Sequence, residues 1–345
     1  MFGGNLMIEN VLLSGYTRNN GKGVYRSQFD SETGKLADPE LFIELKDPTY
    51  LDVTNDMKMV AVAKNETGGG LVLYDINGDT PKLLDEDFSE ETAPSYVKID
   101  KSRNLIFSSY FHLSIVTIDQ ITADNKLERL STIKFDGTGP REEQDQSKPH
   151  YSALTPDGKL IICDYGADRI YLYDISDPKD PQRLYEYIAP AGYAPRHLVF
   201  HPSKPYLYVA CELSSQVLVL KYDAEASRFN LVDEASAAKD EQKNTTAAIR
   251  ITNDGKFLYV STRGADTIAS FEVSPEGDRL KELGTAKTKG KGPRDFALDP
   301  SEKYLLAANQ DSDDLTVFKR NINKGILTIV GDTIGIPECV CVHFI

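Results

Sequence analysis

Pro195-Arg196-His197-Leu198-Val199-Phe200-His201-Pro202, with a partner stretch from Tyr206 to Leu220, is matched by Pro293-Arg294-Asp295-Phe296-Ala297-Leu298-Asp299-Pro300 with Tyr304 to Phe318. Further copies begin at Pro48, Pro94, Pro149 and near Thr246, and a shortened copy runs from Pro337 through Glu338 to Phe344. Each full copy sets an apolar run against a turn such as Pro156-Asp157-Gly158-Lys159 or Asn253-Asp254-Gly255-Lys256. A second and a third run follow, as in Phe257-Leu258-Tyr259-Val260 and then Thr267 to Val273. Apolar runs broken by Asp-Gly turns are the pattern of antiparallel strands.

The copies start roughly 45 to 55 residues apart, the length of a four-stranded propeller blade, and no such unit buries both of its faces alone. The expected fold is therefore all-β, a seven-bladed β-propeller, with residues 1–345 forming one domain. The last copy holds a single strand, whereas the N-terminal runs Val11 to Tyr16 and Val24 to Phe29 lack a Pro-led strand before them. The C-terminal strand is therefore expected to complete the N-terminal blade, which closes the ring and removes its open edges.

The sequence contains no apolar stretch long enough for a transmembrane helix and no basic-then-apolar start, so a cytoplasmic protein is expected. Cys163, Cys211, Cys339 and Cys341 fall in strands without zinc-site spacing and read as buried free thiols. Cys339 and Cys341 share one side of a strand, but no second Cys or His pair stands with them to hold a metal. Gly68-Gly69-Gly70 reads as a turn, since no helix follows it to cradle a phosphate. A net charge of −14 argues against nucleic acid and anionic membranes as partners. The oligomeric state is left open, with a monomer assumed.

Aligned on the residue after the opening proline, the copies give Thr49, Ser95, His150, Arg196, Ala247, Arg294 and Glu338. The first strand of each blade lines the central channel, so this column is expected at one mouth. The second strand returns to the same mouth, where the copies place Asn65, Phe111, Gly166, Glu212, Arg263 and Gln310, with Glu66, Tyr110, Asp164 and Asn309 beside them. Ionisable groups converging on a concave mouth define a candidate active site. Arg196, Arg263 and Arg294 suit a small anionic ligand, carboxylate or phosphate, through charge-assisted hydrogen bonds. His150 is the one histidine in its column and, titrating near working pH, is the expected proton carrier, with Glu212 to orient it or share the proton. His197 and His201 are expected to alternate away from the channel. Three arginines oppose a divalent cation, so neither metal nor cofactor is expected.

The segments Lys148-Pro149-His150 with Thr155-Pro156-Asp157-Gly158, Pro195-Arg196-His197-Leu198 with Cys211-Glu212-Leu213-Ser214-Ser215, Ser261-Thr262-Arg263-Gly264, and Gly292-Pro293-Arg294 with Ala308-Asn309-Gln310-Asp311-Ser312 carry a resemblance. Together with the start from Tyr16-Thr17 to Gly23-Val24-Tyr25, they resemble the propeller-type 6-phosphogluconolactonase family, which also includes carboxymuconate lactonising enzymes. The resemblance implies opening of 6-phosphogluconolactone to 6-phosphogluconate in the pentose phosphate route. By motif it implies a site of His150, Glu212, Arg196 and Arg263. Cys211 and Thr262 depart from the family pattern, which commonly has Asn at both positions.

From register and resemblance together, His150, Glu212 and Arg196 are the expected catalytic residues, and Arg263, Arg294, Gln310, Asn309 and Asn65 are expected to bind a small anionic lactone. A cycloisomerase acting on a carboxylated muconate, or a lactonase for another sugar lactone, is the alternative within the fold family. A non-enzymatic interaction propeller is the alternative outside enzymology.

Overall fold

The computed structural model describes residues 8–238 and 244–345. Among these, seven antiparallel sheets follow one another along the chain. Their innermost strands are Leu51–Val53, Tyr96–Asp100, Pro149–Leu154, Pro195–Phe200, Thr245–Ile251, Pro293–Leu298 and Cys339–Phe344. Each innermost strand touches the next, and Cys339–Phe344 returns to Leu51–Val53, so the strands ring a central channel. The expected seven-bladed propeller is thus the fold.

The ring closes as the sequence implies. Cys339–Phe344 pairs antiparallel with Ile8–Gly15, matching Val11 with Phe344 and Leu13 with Val342. The seventh blade therefore takes its innermost strand from one end of the chain and its remaining strands from the other, and no blade is left with an open inner edge.

The core lies between blades rather than inside them. On the strand Tyr206–Cys211, Leu207, Val209 and Cys211 pack toward the preceding blade, while Tyr208 and Ala210 pack toward the following one. A strand covered on both faces needs apolar side chains at every position, hence the unbroken runs in the middle of each repeat. Cys163, Cys211, Cys339 and Cys341 are buried free thiols in these layers.

Gly68-Gly69-Gly70, expected as a turn, only ends one. Asn65 Oδ1 accepts hydrogen bonds from the Thr67 and Gly68 amides, and Gly69 and Gly70 already belong to the strand Gly69–Asp75. A Cβ on either glycine would collide with backbone, at Ala93 N for Gly69 and at Asp87 O for Gly70.

A recurrent aspartate fixes where three of the inner strands begin. Asp168, in a tight turn with φ 53°, accepts hydrogen bonds from Gly192 N at 2.6 Å and Ala194 N at 2.7 Å, just ahead of Pro195. Asp266 does the same for Gly292 at 2.9 Å ahead of Pro293, and Asp313 for the Glu338 amide at 2.9 Å. These carboxylates satisfy loop amides that would otherwise be unpaired, and they lock the segments that carry the channel mouth.

Candidate active site

Four inner strands carry a β-bulge at the same place. Pairing with the second strand slips between Pro149 and Tyr151, Pro195 and His197, Thr246 and Ile249, and Pro293 and Asp295. In the three strands that open on proline, the residue after it is the extra one, so it and its successor are no longer on opposite faces. His150 and Tyr151 both reach the channel for this reason, as do Arg196 and His197.

His197 is therefore a correction to the sequence expectation. It is wholly buried in the channel, with its ring centroid 5.1 Å from those of His150 and Tyr151 and 5.2 Å from that of Tyr96. Tyr50 joins the layer at 4.8 Å from Tyr96. The three tyrosines and His197 form an aromatic floor below the mouth. His201 stays outside, its Nδ1 accepting from the Ser203 and Lys204 amides.

Above this floor lies a cavity of about 210 Å³ lined by His150, Glu212, Arg263 and Arg294, with Thr49, Ser95 and Phe111 alongside. That is smaller than the roughly 300–1,000 Å³ typical of drug-sized ligands and on the scale of a single sugar unit. Glu212 Oε2 stands 2.8 Å from Arg196 Nε and 2.9 Å from Arg263 Nη2. The Arg196 contact is an ion pair whose Nε–H points out of line, leaving Nε without a hydrogen-bond partner, while Nη1 donates to the Ala247 carbonyl at 2.9 Å. Arg196, 0% exposed, stands behind the cavity wall and reaches the site through Glu212.

Arg294 donates from Nη1 to Gln310 Oε1 at 3.2 Å, so Gln310 holds the arginine without itself lining the cavity. Asn65 and Asn309 are not brought to the site. The Asn65 side chain is used in its own turn, and Asn309, fully buried, donates to Asp314 at 2.7 Å and Thr316 at 3.0 Å. Asp164 accepts from Ser147, Lys148, Gly166 and Ala167 and serves as a loop anchor. Glu338, expected in the ring, turns away to accept from the Asn19 amide at 2.8 Å and its side chain at 3.2 Å.

What the repeat alignment missed comes from the segment that does not repeat. Tyr16 and Arg18 line the cavity from the N-terminal loop, and Asp47 and Lys64 line its edge. Asp47 accepts from the Thr17 amide at 2.8 Å and from Lys64 Nζ at 3.2 Å. The guanidinium of Arg18 stacks 3.6 Å from the Tyr16 ring centroid. Lys64 was within reach of the alignment, one place before Asn65, whereas nothing in the repeats points to Tyr16 or Arg18.

Electrostatics separate the roles. Burial, reinforced by Arg196, Arg294 and Arg263, pushes His150 well below its ordinary value, so the imidazole does not titrate near working pH as the sequence suggested and is neutral there. Burial works to raise Glu212, but Arg263, Arg196 and Arg294 overcome it and hold the carboxyl below its usual range. The site thus pairs a neutral base with a fixed carboxylate beneath guanidinium donors. Among the described residues no three His, Cys, Asp or Glu side chains converge to hold a metal ion.

Residues 10–344 match the family described as lactonase, seven-bladed beta-propeller. The chain is 32% identical to a 6-phosphogluconolactonase of Bacillus subtilis, over 96% of each chain. Among solved structures, a protein from Lactobacillus plantarum superposes with a TM-score of 0.95 at 36% identity, covering 98% of this chain and 100% of that one. A putative 6-phosphogluconolactonase from Bacteroides fragilis superposes at 0.89 with 27% identity, covering 98% of both.

Proposed function

Because the chain belongs to the seven-bladed β-propeller lactonase family, we propose that it hydrolyses 6-phosphogluconolactone to 6-phosphogluconate, without a metal, as a cytoplasmic step of the pentose phosphate route. The observation that carries this is the neutral imidazole of His150 in one cavity with Glu212, Arg263 and Arg294. Ester hydrolysis needs a base for water, donors for the oxyanion and an acid for the leaving oxygen. This cavity offers a group for each.

In the proposed mechanism His150 accepts a proton as the water oxygen bonds to the lactone carbonyl carbon. Negative charge develops on the carbonyl oxygen, where Arg263 stabilises it. Collapse of the tetrahedral intermediate breaks the bond to the ring oxygen, and the imidazolium returns its proton there. The depressed pKa keeps the imidazole unprotonated at rest and makes its conjugate acid a strong donor to the ring oxygen, at the expense of its basicity toward water. Glu212 holds Arg263 in place and balances the transient imidazolium, and Arg196 fixes Glu212. Four free thiols are consistent with a reducing compartment.

The test is hydrolysis of freshly made 6-phosphogluconolactone against the uncatalysed rate, with a chelator present. Acceleration that survives chelation is expected. His150→Ala should lower kcat by roughly 10²-fold or more with little change in KM, as for loss of a general base. Hydrolysis at the uncatalysed rate, or an unimpaired variant, would defeat the proposal.

A further inference from the structure

The two ends of the channel close their charges differently. At the far end, lined by Asp52, Lys98, Arg250, Asp295 and His343, Asp52 meets Lys98 at 2.9 Å and Asp295 meets Arg250 at 2.7 Å. At the near mouth Lys64 is matched by Asp47, and Arg196 and Arg263 share Glu212. Arg18 and Arg294 remain, and among the described residues neither has a carboxylate within 4.0 Å. Both line the cavity and both lie over the Tyr16 ring, Arg18 at 3.6 Å and Arg294 at 5.6 Å from its centroid. Arg294 Nε is buried and lacks a hydrogen-bond partner.

Two guanidiniums without a contacting carboxylate around one aromatic ring, in a chain of net charge −14, are complementary to a dianion. Their planar forks fit the oxygens of a phosphate monoester. The loop that brings Tyr16 and Arg18 is also fixed in place. Asp47 holds the Thr17 amide, Glu338 holds the Asn19 amide, and the Tyr16 amide donates to the Glu338 carbonyl at 3.1 Å. Stacking on Tyr16 in turn restricts the exposed Arg18 side chain.

Resting on the lactonase reading above, we propose that Arg18, Tyr16 and Arg294 form a phosphate subsite at the rim. The N-terminal loop then selects phosphorylated lactones, and His150, Glu212 and Arg263 take the lactone end of the molecule.

The decisive measurement compares 6-phosphogluconolactone with unphosphorylated gluconolactone, using the full chain and its Arg18→Ala and Arg18→Lys variants. In Arg18→Ala, KM for the phosphorylated lactone should rise about tenfold or more, the worth of one charge-assisted hydrogen bond. The preference for phosphorylated over unphosphorylated substrate should fall by a similar factor, and Arg18→Lys should restore part of it. Equal losses on both lactones, or no loss, overturn the subsite. Calorimetry with inorganic phosphate separates this from the lactonase reading. Phosphate binding that weakens in Arg18→Ala supports the subsite even where neither lactone is hydrolysed, and phosphate bound equally by both proteins, or by neither, overturns it.

Discussion

Arg196 Nε lies 2.8 Å from Glu212 Oε2, and the arginine is wholly withdrawn from water while the carboxylate reaches the cavity. Arg263 approaches the same oxygen from the cavity side at 2.9 Å. One carboxylate therefore neutralises a fully buried cation and positions a partly buried one that lines the cavity. Desolvating Arg196 is costly, and only its pairing with Glu212 and its bond to the Ala247 carbonyl make it tolerable.

Substitution of the two partners should have unequal effects. Glu212→Gln leaves Arg196 buried without a countercharge and should lower stability by about 3–5 kcal/mol, as when one partner of a buried pair is lost. Arg196→Met leaves Glu212 still paired with Arg263 and should lose less. Urea unfolding of the two variants checks this, and equal midpoints would contradict it.

Stability and activity should both respond to acid through the buried histidines. His150 and His197 are pushed well below the ordinary value, first by burial and then by neighbouring cations, and His343 is pushed down to about 4 by burial against the opposing pull of Asp52. Below about pH 6.5 the unfolded chain binds protons that these groups refuse in the folded state, so stability falls as the pH falls. Asp119, Asp164 and Asp295, raised chiefly by burial, bind protons more readily when folded and oppose this loss in the carboxylate range. Thermal unfolding should shift downward from pH 7 to pH 5, and less so in His343→Gln. Turnover should stay level from about pH 8 to pH 6, because His150 is already neutral there. A midpoint that rises on acidification, or a rate that halves near pH 6.5, would contradict the assignment.

Ring closure should be essential to the fold. Deleting residues 339–345 exposes the strand Ile8–Gly15, whose Val11, Leu12 and Leu13 are fully buried in the closed ring. An unpaired apolar edge of this kind templates association. The truncated protein should aggregate or lose cooperative unfolding, which size-exclusion chromatography and a melting curve would register; a monomer with an unchanged melt would refute the role of closure.

The repeats disclosed the architecture because blade geometry is local. Alternation, Asp-Gly turns and an opening proline are set by short-range sterics, and the unpaired last strand could pair only with the N-terminal blade. The column method also brought His150, Arg294, Glu212 and Arg263 to one cavity, with Arg196 behind its wall, since equivalent positions in a rotational array share a radius. It failed wherever the array is broken. His197 was set aside because strict alternation was assumed, and the bulge at Pro195 cancels that alternation. Asn65, Asn309 and Glu338 stand at the right register, but nearby amides and hydroxyls take up their side chains.

Sequence alone determined that seven units of one β pattern must close into a ring, because each unit carries apolar faces that only its neighbours cover. It also determined which charges would stand near one mouth. Tertiary structure decided which of those charges are free. Glu212 lies between Arg196 and Arg263, Asp47 meets Lys64, and a loop outside the repeats lays Tyr16 against Arg18 and Arg294. Pairing over a few ångströms depends on bulges and loop paths joining residues hundreds of positions apart, and no local pattern in the chain encodes those distances.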